Sequence, residues 1–151
     1  MSGTPPETSE LNPQKFSHMT AMAANSKGEI FVCDKYADVI RKIQNDNKIV
    51  TIAGNGVQGY KDGKDTSARF QDPMGIVVDS KGNLFIIESS SSKIRKITPD
   101  GTVSTYAGAA GYGDQLGTIE EAKFTNLGGI TIDNRDNVYV TDINNKKDQE
   151  D

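Results

Sequence analysis

Gly75-Ile76-Val77-Val78-Asp79-Ser80-Lys81-Gly82-Asn83-Leu84-Phe85-Ile86-Ile87-Glu88 is a pair of short apolar, β-rich runs joined by four residues of turn chemistry, which is the pattern of a hairpin. Its first run returns 54 residues later as Gly129-Ile130-Thr131-Ile132-Asp133, and its turn is preceded by Ser26-Lys27-Gly28 at the same distance. The register extends outward without a gap. Ile40-Arg41-Lys42-Ile43 returns as Ile94-Arg95-Lys96-Ile97, Ala53-Gly54 as Ala107-Gly108, and Ala68-Arg69-Phe70 as Ala122-Lys123-Phe124. Self-similarity at a fixed period near fifty residues means stacked units or a propeller, not a single-core enzyme.

Each unit reads as four short antiparallel strands. In the second unit the hairpin Gly75 to Glu88 is followed by Lys93 to Ile97 and Val103 to Ala107. Those two runs are joined by Thr98-Pro99-Asp100-Gly101, where proline presets φ and glycine accepts positive φ. The first unit follows the same plan with Ala21 to Asn25, Ile30 to Asp34, Val39 to Ile43 and Lys48 to Ala53. Between units runs a connector, Asn55 to Gln71, rich in Gly and Asp, and Ala68-Arg69-Phe70 is expected to form one helical turn. The third unit supplies two strands, Gly129 to Asp133 and Asn137 to Asp142.

The succession Arg69-Phe70-Gln71-Asp72-Pro73-Met74-Gly75, then Gly82-Asn83-Leu84-Phe85, then Lys93-Ile94-Arg95-Lys96-Ile97 and Val103-Ser104-Thr105-Tyr106-Ala107-Gly108 resembles an NHL repeat of the long form. The resemblance covers Phe16 to Asp142. It implies an all-β fold of four-stranded antiparallel blades around a central channel, a β-propeller, here incomplete at about two and a half blades where rings usually hold ~4–8. Incomplete rings expose blade faces and strand edges, so the chain is expected to be part of a larger or truncated propeller, or to self-associate. The expected organisation is a disordered leader over 1–15, the repeat region over 16–142 and a charged flexible tail over 143–151. The leader holds Thr4-Pro5-Pro6-Glu7-Thr8-Ser9-Glu10, too polar to offset its ordering entropy.

Composition closes several classes. Of 151 residues 34% are hydrophobic and 25% charged, with a net charge of −4, which describes thin cores and an acidic surface. No apolar run approaches the ~20 residues of a membrane span, and the first fifteen residues lack the apolar stretch of a secretory signal. A cytoplasmic location is expected. Cys33, the one cysteine, cannot form an intrachain disulfide.

Several motifs carry apparent chemistry. Gly54-Asn55-Gly56-Val57-Gln58-Gly59 spells a dinucleotide fingerprint, but Tyr60-Lys61-Asp62-Gly63-Lys64 does not open the helix that would aim amides at a pyrophosphate. Gly59 to Lys64 has the glycines and lysine of a phosphate loop, with Asp65 where Ser or Thr would hold magnesium. Asp34, Glu88 and Asp142 share one repeat position at the ends of second strands, where they are expected to satisfy backbone N–H groups or pair with Arg41 or Arg95. Asn25, Asp79 and Asp133 share another, where the side chain can bond the turn backbone. His18 is the lone histidine and reads as a solvated loop residue; Cys33 reads as a small buried thiol. No cofactor and no metal site is expected.

The basic pairs Arg41-Lys42 and Arg95-Lys96 raise RNA, which some NHL propellers bind. Adjacent strand residues point to opposite faces, however, and the overall balance is acidic, which argues against a basic stripe. The resulting expectation is a non-enzymatic interaction module that binds a protein partner or other ligand through its inter-blade connectors. Tyr60, Lys61, Asp62, Tyr112 and Asp114 are the candidate contact residues. The alternative is a fragment of a propeller enzyme, since the architecture also resembles metal-dependent lyases and lactonase-like hydrolases.

Overall fold

The five- and six-residue apolar runs fold as strands, and a computed structural model describes them over residues 15–89, 91–108, 113 and 121–143. The first sheet is β1 (Met19–Ala24), β2 (Ile30–Asp34), β3 (Val39–Ile43) and β4 (Ile49–Ala53), in chain order and antiparallel throughout. A two-residue strand, β5 (Gly63–Lys64), and a 3-10 turn at Asp65–Ser67 lie in the connector. They lead to β6 (Pro73–Val78), β7 (Leu84–Glu88), β8 (Lys93–Ile97) and β9 (Thr102–Ala107), and a final hairpin pairs β10 (Leu127–Ile132) with β11 (Val138–Asp142). Among the described residues no helix is long and apolar enough to cross a membrane. The expected leader before Lys15 and the expected tail after Ile143 lie outside the described residues.

The 54-residue period survives in the irregularities. A bulge follows the first residue of β1, β6 and β10, at Met19, Pro73 and Leu127, and a second sits between Ile40 and Arg41 and between Ile94 and Arg95. Bulges re-aim side chains and bend strands, so a shared bulge pattern gives each unit the same curvature. Gly54 and Gly108 show why Ala-Gly recurs: each has φ near +87° (88° and 86°), and a Cβ would stand 2.8 and 2.6 Å from the carbonyl oxygens of Asp38 and Ser92.

Two details differ from the sequence reading. The second sheet has five strands, because β5 of the connector pairs with the outer strand β9 through Gly63↔Val103 and Lys64↔Thr102. The helical turn falls at Asp65–Ser67, and Ala68 is extended instead. Ser67 fixes that position: its hydroxyl accepts from the Lys64 amide at 2.8 Å and donates to the Lys64 carbonyl at 2.7 Å.

The inner strands β1, β6 and β10 lie side by side, as they would around a propeller axis. Two seams result. In the first, Phe31, Cys33, Ile40 and Ala53 of the first sheet meet Phe70, Ile76, Leu84, Ile86, Ile97 and Val103. In the second, Val77, Phe85, Ile87, Ile94 and Ala107 meet Leu127, with Phe124, Ile130, Val138 and Val140 packed against them less completely. Burial of these faces supplies most of the fold's stability, at roughly 25 cal/mol per Å² of apolar surface removed from water.

Candidate functional site

The repeated acid at the end of each second strand is a clasp that holds the start of its own unit. Asp34 accepts from the Ser17 amide at 2.9 Å, the Ser17 hydroxyl at 2.6 Å and the His18 amide at 2.8 Å. Asp142 repeats this set with the Thr125 amide at 2.9 Å, the Thr125 hydroxyl at 2.6 Å and the Asn126 amide at 2.7 Å. Glu88, one methylene longer, accepts from the Gln71 amide at 3.1 Å and also reaches a cation. The acid therefore closes the chain where a connector turns into an inner strand. Both roles foreseen for this position, backbone satisfaction and pairing with arginine, are present.

The arginines complete the clasp. Arg41 and Arg95 point inward from the third strand of their units and are 1% and 0% exposed. Arg95 Nη1 donates to Glu88 at 2.5 Å and to the Arg69 carbonyl at 2.8 Å, and its repeat counterpart Arg41 donates to the Lys15 carbonyl and stands 3.7 Å from Asp34. Burial pushes the Glu88 carboxyl up from its ordinary value, opposed by Arg95 and by hydrogen bonds from Arg95, Ser91 and Gln71. Burial likewise pulls the Arg41 guanidinium down, with Asp34 acting against it. These charges are held for geometry. In energy, burying such a pair comes close to break-even.

Three of the five predicted contact residues, Tyr60, Lys61 and Asp62, gather on Arg95. Tyr60 lays its ring over the guanidinium at 4.9 Å, with Phe70 on the guanidinium at 5.0 Å and Lys93 Nζ over Tyr60 at 4.5 Å. The Tyr60 hydroxyl meets Thr105 Oγ1 at 2.5 Å. Arg95 Nη2 donates to the Lys61 carbonyl at 2.8 Å and to Asp62 at 3.0 Å, and Thr105 donates to the same carboxylate at 3.0 Å. The Lys61 side chain is exposed, and Tyr60 keeps 45% of its surface in solvent. Tyr112 and Asp114 lie outside the described residues. Arg95 and Thr105 were not among the residues singled out for contact; the available signal was a charged residue at an inward position of an apolar strand, twice, at one repeat position.

The remaining motifs resolve into structure. Asn25, Asp79 and Asp133 each accept from two turn amides, as in Asp79 with Lys81 at 2.9 Å and Asn83 at 2.8 Å. Gly59, the last glycine of the apparent nucleotide fingerprint, packs beneath the Arg69 side chain and donates its amide to the Phe70 carbonyl at 3.0 Å. His18 stacks on Tyr36 with ring centroids 4.5 Å apart. Cys33 is fully buried, its thiol pushed up by burial and 3.7 Å from the Gly75 carbonyl. Among the described residues no group of three His, Cys, Asp or Glu is placed to hold a metal ion.

Similarity to known proteins follows the same lines. No protein-family model matches the chain. The cattle protein named NHL repeat-containing protein 2 is 27% identical over 161 aligned residues, covering 95% of this chain. The four-stranded repeats of this chain are similar to the NHL repeats for which that relative is named. The Arabidopsis thaliana protein named Suppressor of Quenching 1, chloroplastic, is 35% identical over 81 residues, 53% of this chain. The chain spans only 22% and 8% of those two relatives.

Among solved structures, an auxiliary nutrient binding protein from Bacteroides thetaiotaomicron superposes on 83% of this chain with a TM-score of 0.70 at 22% identity. The chain covers 35% of that structure. Virginiamycin B lyase from Staphylococcus aureus (TM-score 0.55, 19% identity, 83% of this chain and 35% of that one) shares the fold. So does a nidogen/laminin complex (TM-score 0.61, 20% identity, 85% of this chain and 42% of that one). Enzymes and binding proteins thus use this architecture alike.

Proposed function

We propose that the chain is a non-enzymatic interaction module whose connector between the first two sheets presents a contact surface to a protein partner. The observation that carries this is the locking of that connector. Arg95, Glu88, Asp62 and Thr105 hold its backbone against β8 and β9, while the Lys61 side chain, part of the Tyr60 ring and Arg69 stay exposed. A loop fixed before binding loses little entropy on binding, and Tyr and Arg are the side chains richest in contact energy at interfaces. The repeated acids, which would be the natural candidates for catalysis, are occupied as clasps in both sheets.

Tyr112 and Asp114 are further contact residues of the module in this reading. A cytoplasmic setting belongs to it as well, on the strength of the single cysteine, with a plastid the location to test against it because one relative is named as chloroplastic.

The test is site-specific photo-crosslinking in cells with the reactive group at residue 61, compared with residue 27 in the β1–β2 turn. A discrete protein adduct from position 61 and none from position 27 supports the reading. Turnover of a lactone by the purified chain that EDTA abolishes would replace it with the enzyme reading.

A further inference from the structure

The β6–β7 turn is tied to the β10–β11 turn, but the β1–β2 turn has no such tie to the β6–β7 turn. Asp136 accepts from the Ser80 amide at 2.9 Å and from the Ser80 hydroxyl at 2.5 Å, one carboxylate oxygen on each donor. One repeat earlier Ser80 becomes Ser26 and Asp136 becomes Gly82, so the acid is replaced by a residue with no side chain. The amide and hydroxyl of Ser26 have no hydrogen-bond partner among the described residues. The turn around them is nonetheless fully formed, with Asn25 accepting from the Lys27 and Glu29 amides at 3.0 Å.

Beside Ser26 the first seam opens. A cleft of about 790 Å³ lies between the first two sheets at the end that carries these turns. Phe31, Leu84 and Ile97, 8%, 2% and 2% exposed, form an apolar floor with Ile52 and Val78, and Ser26, Lys27 and Lys81 stand at the rim. The acids of the lining are mostly engaged. Glu29 pairs with Lys42 at 2.6 Å, Asp79 holds the amides of its own turn, and Asp100 accepts from Thr98 and Thr102. Asp65 lies against Gly101 of the β8–β9 turn. Lys27 and Lys81 form no salt bridge among the described residues.

We propose that this cleft binds an organic carboxylate with an apolar body, its charged group taking at Ser26 the place that the Asp136 side chain takes at Ser80. One oxygen accepts from the Ser26 amide and the other from its hydroxyl, and Lys27 and Lys81 flank the charge. The hydrocarbon part covers Ile52, Val78 and Leu84, giving the apolar pocket with a few convergent polar groups that small-molecule sites share. A carboxylate is favoured over a phosphate because, at Ser80, the same two donors are matched by the two oxygens of one carboxylate. None of Tyr60, Lys61 and Asp62 lines the cleft, so its test is independent of the connector surface.

The experiment follows the backbone amides of the full chain by NMR during titration with 4-phenylbutyrate and with its primary amide. Saturable shifts at Ser26 and Lys27 are expected with the acid, and binding about tenfold or more weaker with the amide, which lacks the charge. Gly82→Asp supplies the acid within the chain: the Ser26 amide is expected to shift downfield, as a carboxylate-bonded amide does, and the affinity for phenylbutyrate to fall about tenfold or more. Ser26→Ala removes the hydroxyl, leaves the Asn25 bonds in place and is expected to weaken binding about threefold or more. Equal binding of acid and amide, absence of saturation up to about 10 mM, or full affinity in both variants overturns the proposal. A leucine-terminated tripeptide identifies the source of the carboxylate: tighter binding than phenylbutyrate assigns it to a peptide C-terminus and weaker binding to a free acid, and either result supports the site.

Discussion

The first and second seams are one design executed twice, with the same aromatic at the same repeat position in different surroundings. Phe70 is sealed by the outer strands of the second sheet and covers Arg95, while Phe124 borders an open cleft. The difference teaches that burial in this fold is a property of the neighbouring unit. A blade's face is finished by the outer pair of the blade that follows it, as in other repeat architectures where stability resides in nearest-neighbour interfaces.

The largest effect that can break the comparison is Phe70→Ala against Phe124→Ala. The first is expected to cost about 3–5 kcal/mol and the second about 1–2, measured by urea unfolding with unchanged slope. Equal costs would mean that the second seam is as closed as the first.

Glu88→Ala against Asp142→Ala comes next. Removing Glu88 frees the Gln71 amide and withdraws one of two carboxylates from Arg95, leaving Asp62; a loss of about 2–3 kcal/mol is expected. Asp142→Ala removes an amide cap at the half-buried seam and is expected to cost about 1–2 kcal/mol. Denaturation of the two variants side by side decides it, and a larger loss at Asp142 would place the stronger clasp in the third unit.

The fold was readable because the period is carried by residues with local work to do. Asp79 caps its own turn, Gly54 occupies a backbone angle that side chains avoid, and the acids at 34, 88 and 142 sit at strand ends with amides to satisfy. Each is a short-range demand that a sequence displays. Strand β5 was not readable, because Gly63-Lys64 carries no strand signal and its partner Val103 stands forty residues away. The same holds for Tyr60 and Asp62: their residue types suggested a contact surface, but only the fold shows that part of each side chain is committed to Arg95 and Thr105. Tertiary pairing, not propensity, decides such positions.

A smaller effect concerns a polar link between the β6–β7 and β10–β11 turns at the second seam. Asp136 accepts from the Ser80 amide at 2.9 Å and from its hydroxyl at 2.5 Å, and these bonds hold its carboxyl below the usual range. A carboxyl lowered in the folded state adds stability above its unfolded pKa and loses it as pH falls through the folded value. Acidification below about pH 4 is therefore expected to loosen the β10–β11 turn in amide exchange. Asp136→Asn should weaken that response and leave the part carried by Asp133, whose carboxyl Asn137 holds low in the same turn; an unchanged response in the variant would assign the acid sensitivity away from Asp136.

The most direct measurement is native-state hydrogen exchange across the whole chain. If the outer pair of each following unit closes the seam before it, the amides of β2, β3, β7 and β8 exchange only with global unfolding, and those of β10 and β11 exchange through a cheaper local opening. Equal protection of β7 and β11 would contradict the account.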